Sequence, residues 1–144
     1  MESIYPIKIQ RPALADIFIR KRLFDFIDGD SDKKLFWISG PGGAGKTTLI
    51  NSYLYEQKIP CIWYQVDEDD HDLAGFFHYL GLAGNVAASN HEIRFPNFTP
   101  EYMFGLQEFS RNFFEKLFQI QQPETYLVLD NCQELAEDSE IFTA

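Results

Sequence analysis

The residues of this chain best suited to chemistry stand at positions 40 to 48, Gly40-Pro41-Gly42-Gly43-Ala44-Gly45-Lys46-Thr47-Thr48. They fit G-x-x-x-x-G-K-[ST] at every fixed position. Glycine lets the backbone wrap closely round a phosphate with its N–H groups pointing inward, and a helix starting at Lys46 adds its positive N-terminal end. Lys46 then reaches the β and γ phosphates, and the Thr47 hydroxyl ligates magnesium. Thr48 has two readings, a contact to the α-phosphate or simply the first turn of the helix. Chance would supply the fixed positions in on the order of half a percent of chains this long, judged from average residue frequencies. The pattern predicts a Walker A loop (P-loop) rather than a ligand-free glycine turn.

Such a loop needs a carboxylate at the tip of another strand, and Leu127-Val128-Leu129-Asp130 provides one. Asp130 is the expected Walker B residue and, with Thr47, the expected magnesium ligand. Lys46 and Asp130 are the two candidates for catalysis. The next residue is Asn131, whose amide cannot take a proton from water, so hydrolysis is expected to be weak or absent. The acids Asp67-Glu68-Asp69-Asp70 lack the glycine of an EF-hand loop. They read either as a metal or general-base cluster or as a solvated turn leading into a helix. His71, His78 and His91 show no ligand spacing and receive no role. Cys61 and Cys132 lack C-x-x-C spacing and are expected to be reduced and structural.

The elements that must position these groups alternate along the chain. Residues 1–16 read as an irregular N-terminal segment, and residues 17–144 as one nucleotide-binding domain that opens with a helix over 17–28. The apolar run Leu35–Ser39 predicts a strand buried on both faces, followed by the glycine loop and a helix to about Gln57. Residues 61–67 predict a second strand, and 72–82 a helix capped by Asp72. A loop over 83–98 precedes a helix over 100–121, with Thr99 at its cap, Pro100 at its first position and Tyr102 among its buried residues. Pro123 ends that helix, and 125–130 is the third strand. Apolar strands separated by helices indicate an α/β fold, a P-loop NTPase parallel sheet flanked by helices.

Composition sets the outer bounds. Apolar residues make up 45% and charged residues 24%, so a packed core is expected and disorder is not. The 14 Phe and 7 Tyr are read mainly as packing. A formal net charge of −10 repels nucleic-acid phosphates and anionic membranes, so neither direct DNA binding nor a membrane partner is expected of this chain. The start has no secretory pattern and no apolar run spans a bilayer, which places the chain in the cytoplasm by expectation.

With these residues in view, the chain resembles the nucleotide-binding domain of the STAND ATPases related to MalT-like, large LuxR-type ATP-dependent transcriptional regulators. The resemblance is carried by Lys8-Ile9-Gln10-Arg11-Pro12, by Ile19-Arg20-Lys21-Arg22-Leu23, and by the glycine loop with Thr47-Thr48-Leu49-Ile50. It continues through Trp63-Tyr64-Gln65-Val66-Asp67-Glu68-Asp69-Asp70, Phe77-His78-Tyr79-Leu80 and Tyr126-Leu127-Val128-Leu129-Asp130. The tryptophan strand followed by the D-E-D-D turn is its most particular part. The resemblance implies ATP or ADP with Mg2+ as cofactors, and a switch whose nucleotide state governs self-association. It also implies downstream regulator domains as partners, and a sheet truncated after the Walker B strand. A metabolic P-loop kinase or phosphotransferase is the alternative. It fits less well, because only Arg94 and Arg111 are available after residue 22 as arginines to cover a transferred phosphate.

Overall fold

The structure, a computed structural model, describes residues 5–14, 19–29, 35–90, 92–135 and 137–142. The chain divides into two compact units, Met1–Arg11 with Pro60–Ala144, and Pro12–Ile59.

In the larger unit, β1 (Cys61–Gln65) and β2 (Tyr126–Asp130) pair in parallel, with Cys61 opposite Tyr126 and Gln65 opposite Asp130. A parallel pair needs a crossover of a dozen or more residues, and α3 (Leu73–Ala87) and α4 (Leu106–Gln119) lie on it. Alternate residues of a strand face opposite ways, so Ile62 and Tyr64 share a face, which continues to Val66 just past the strand. All three are buried in one cluster with Phe76, Phe77 and Leu80 of α3 and Phe113 and Leu117 of α4. Phe77 meets Phe109 and Phe113 edge-on, each at 4.9 Å between ring centres, the arrangement that aromatic quadrupoles favour. The architecture is mixed helix and strand, a two-stranded parallel sheet flanked by helices, compatible with an α/β fold. Among the described residues no helix is long and apolar enough to cross a membrane.

Two helices depart from their expected limits. Asp72 caps α3 by accepting from the N–H groups of Ala74 and Gly75, as its position predicts. The helix then runs to Ala87 rather than ending near Leu82, so the loop expected from 83 begins only after it. Gly81 and Gly84 look like a helix end in sequence, yet they mark close packing. A Cβ at Gly84 would stand 2.3 Å from Leu117 Cδ1, and one at Gly81 2.9 Å from Phe95 Cδ2. The single helix expected over 100–121 is instead a 3-10 segment, Pro100–Gly105, followed by α4. Gly105 leaves helical geometry at φ −129° and ψ 34°, the Thr99 side chain makes no cap bond, and Tyr102 is exposed.

In the smaller unit, α1 (Lys21–Asp28) and α2 (Lys46–Glu56) are joined by side chains. Phe24 meets Tyr53 edge-on at 5.2 Å, and the Tyr53 hydroxyl donates to Asp28 Oδ1 at 2.8 Å. Residues 17 and 18 of the helix expected over 17–28 lie outside the described residues. The strand expected at Leu35–Ser39 does not form, and the reading is corrected: none of these residues enters a ladder, and Leu35 and Trp37 are 79% and 69% exposed. An apolar run supplies side chains for a buried strand, but a strand exists only where a neighbouring backbone takes its N–H and C=O groups.

Candidate functional site

The glycine loop is built for a tight turn into a helix. The Ala44 N–H donates to the Pro41 carbonyl at 3.1 Å, closing a turn in which Gly43 takes φ +76°. Gly45 takes φ +82° and caps α2. Side chains at these two positions would be strained, so the turn itself requires both glycines. Gly42 is different. Its φ is not left-handed and a Cβ there would meet nothing within 4 Å, so the fold does not demand glycine. A glycine kept where the protein leaves open space suits close approach of a ligand to the backbone. Lys46 Nζ curls over the same loop, donating to the carbonyls of Gly40 at 2.6 Å and Pro41 at 3.2 Å. Backbone N–H groups at a helix N-terminus with an ammonium beside them form a donor set for a phosphate, and the Thr47 hydroxyl is an oxygen that suits magnesium.

Arg20, at the N-cap of α1, also belongs to this loop. It donates through Nη1 to the Ala44 carbonyl at 3.1 Å, and a Cβ at Gly45 would lie 3.4 Å from its Nη2. Arg20 stands in the Ile19-Arg20-Lys21-Arg22-Leu23 stretch that carries the resemblance, but its spacing alone gives it no role at the loop.

Gly40 to Thr48 therefore stand together in the smaller unit, while Asp130 stands in the larger one. Asp130 closes β2, as expected of a carboxylate at a strand tip. Its Oδ1 accepts the Asn131 N–H at 3.0 Å, and its carbonyl accepts the Val66 N–H at 2.8 Å. Asn131 turns the chain in the left-handed region at φ 63°, one of the few non-glycine residues that tolerate it. The amide at 131 thus has a backbone reason. Cys132 follows, its thiol pushed up by burial and then by the Asp130 charge; burial also raises Cys61, opposed by Arg11. Both thiols are free and poor nucleophiles.

The acidic turn is only partly a solvated one. Glu68–His71 is a 3-10 segment with a capping box, in which Asp67 accepts from the Asp69 N–H at 3.1 Å and Asp70 from the Asp67 N–H at 2.9 Å. Asp70 is 1% exposed, and its Oδ1 takes the Tyr64 hydroxyl at 2.5 Å and Lys8 Nζ at 3.0 Å. Lys8 also lies 2.9 Å from Asp67 Oδ2 and 5.1 Å from the ring centres of Tyr64 and Tyr79. Asp67 and Asp70 thus act as ties for the N-terminal segment and the end of β1. Among the described residues no group of three or more His, Cys, Asp or Glu could hold a metal ion.

The family model described as "Nephrocystin 3, N-terminal" matches residues 15–144. The chain belongs to the nephrocystin 3 N-terminal family. It is also similar to the HTH-type transcriptional regulator MalT of several bacteria. With that of Yersinia enterocolitica it shares 30% identity over 138 residues, 94% of this chain and 15% of the relative. With that of Cronobacter sakazakii the figures are 36% over 89 residues, 61% and 10%. With that of Serratia proteamaculans they are 28% over 137 residues, 94% and 15%. The chain spans 10 to 15% of the length of these relatives, and the relationship to MalT is a distant one. No solved structure matches. The nephrocystin 3 match takes in both the glycine loop and Asp130.

Proposed function

We propose that this chain is the ATP-binding switch module of a signal-responsive, MalT-like transcriptional regulator. The observation that carries the reading is the glycine loop, where Gly43 and Gly45 are needed by the turn, Gly42 is left over by the fold, and Lys46 overhangs the backbone. Its similarity to MalT supports the regulatory context.

In this proposal the loop from Gly40 to Thr48 holds the phosphates, with Thr48 in the first turn of the helix, where its hydroxyl either meets the α-phosphate or only continues the helix. Lys46 would neutralise the β and γ oxygens, while Thr47 and Asp130 would be the magnesium ligands. Bound magnesium would supply charge neutralisation on the β and γ phosphates. Asn131 offers water an amide in place of a carboxylate, so bound ATP persists as a signal rather than being consumed. Calorimetric titration tests the reading. ATP with magnesium should bind, and Lys46→Ala should weaken it by roughly 1.5 to 3 kcal/mol, the worth of a charge-assisted contact. Equal affinity in both proteins removes Lys46 from the site.

A further inference from the structure

The parallel register places Gln65 directly opposite Asp130, at the C-terminal ends of β1 and β2. Paired residues in a parallel ladder project to the same face, and Ile62 and Leu127, themselves a pair, both lie on the face packed against the core. Gln65 and Asp130, three positions further along each strand, therefore project on the opposite face. Neighbouring strands lie about 4.8 Å apart, so the two side chains leave the backbone within reach of each other. The pairing is locked at this point, because the Val66 N–H donates to the Asp130 carbonyl at 2.8 Å. Beyond it the backbone is fastened again by the Asp67 capping box and by the Tyr64–Asp70–Lys8 network. Gln65 is half-buried, and its amide makes no hydrogen bond with any described residue.

A half-buried, unengaged amide, held rigidly beside a carboxylate at the carboxyl end of parallel strands, is placed where ligands of open α/β sheets bind. We infer that Gln65 is a positioning residue for Asp130. Its N–H2 group would donate to the carboxylate and hold it in the orientation that a divalent cation on Asp130 requires. The inference rests on the reading of Asp130 as a metal ligand. Residues that orient a ligating carboxylate typically contribute 10- to 100-fold in metal affinity.

The test uses the ATP-loaded chain with Mn2+ as the probe, its binding followed by electron paramagnetic resonance, and with ATP affinity measured separately in EDTA. Gln65→Met keeps the side chain's length and removes both hydrogen-bonding groups. It should weaken Mn2+ binding about tenfold and leave ATP affinity in EDTA and the melting temperature unchanged, a combination that a purely structural role would not give. Gln65→Glu should bind Mn2+ more tightly than wild type, by adding a second carboxylate. Wild-type Mn2+ affinity in Gln65→Met, beside a clear loss in Asp130→Ala, overturns the role of Gln65 alone. Unchanged Mn2+ affinity in Asp130→Ala as well overturns the Asp130 reading and the inference with it. If Gln65→Met does not fold, Gln65→Glu decides: tighter Mn2+ binding supports the inference, and wild-type affinity overturns it.

Discussion

Lys8 and Asp70 are 62 residues apart in sequence, and Lys8 Nζ lies 3.0 Å from Asp70 Oδ1. The carboxylate is almost wholly buried and also receives the Tyr64 hydroxyl, so three separate segments converge on one side chain. Removing it leaves an ammonium and a phenol without their acceptor. Asp70→Ala is expected to destabilise the fold by about 3 kcal/mol, as for breaking a buried ion pair, and Tyr64→Phe by about 1 kcal/mol, as for one hydrogen bond. Urea denaturation measures both, and a change below about 0.5 kcal/mol in Asp70→Ala contradicts the structural role.

The same network sets the alkaline limit of stability. Burial alone would lower the pKa of Lys8, but its hydrogen bonds to Asp67 and Asp70 and their charges outweigh that and hold it above 10.5. Burial, the bond to Asp70 and the nearby acids push Tyr64 well above its ordinary 10.0. Both groups keep their protons longer in the folded chain than in the unfolded one. Their contribution is fully present below about pH 10 and is lost as the pH climbs through the folded values. Denaturation midpoints should therefore hold steady from about pH 7 to 8 and fall as the pH climbs above about 9, first through the raised Cys61 and Cys132 thiols and then through Tyr64 and Lys8. Tyr64→Phe should fall less steeply, and a wild-type midpoint that rises above pH 10 reverses the sign of the argument.

What the sequence reveals is what adjacent residues decide among themselves. The turn at Gly43 and Gly45, the helix starting at Lys46, the Asp72 cap and the strand ending at Asp130 all follow from short-range pattern, and each appears in the structure. Leu35–Ser39 has the composition of a buried strand, yet a ladder needs a distant backbone, and composition cannot report whether one is present. The length of α3 is hidden for a similar reason, since Gly81 and Gly84 answer to Phe95 and Leu117 rather than to their own neighbours. Asp70 reads as one acid among four until Tyr64 and Lys8 are seen to meet it. Arg20 is tied to the glycine loop only by a contact to Ala44, and Gln65 to Asp130 only by a strand register.

Two glycines separate binding from folding. Gly84→Val should cost roughly 2 to 3 kcal/mol of stability, because α3 lies too close to Leu117 for a side chain. Gly42→Ala should melt with wild type, since open space surrounds that position, yet weaken ATP about tenfold, roughly 1.4 kcal/mol. Thermal melts beside ATP titrations give both results at once. A Gly42→Ala protein with full affinity would show that the backbone at 42 does not approach the nucleotide.

Asn131→Asp should accelerate single-turnover ATP hydrolysis with little change in affinity. Asp, like Asn, tolerates the left-handed backbone at 131, so the turn survives, and a general base is typically worth 10² to 10⁴ in rate. If the rate does not rise, another residue activates the water, and exposed Glu134 is the next to test.

The claim that the glycine loop holds the triphosphate is tested most directly by amide hydrogen exchange of the folded chain with and without Mg-ATP. The account predicts that the amides from Gly42 to Thr47 slow by at least about tenfold when nucleotide is added, and that Lys46→Ala loses most of this protection. Unchanged exchange across that loop at saturating ATP, or protection confined to residues outside it, contradicts the account.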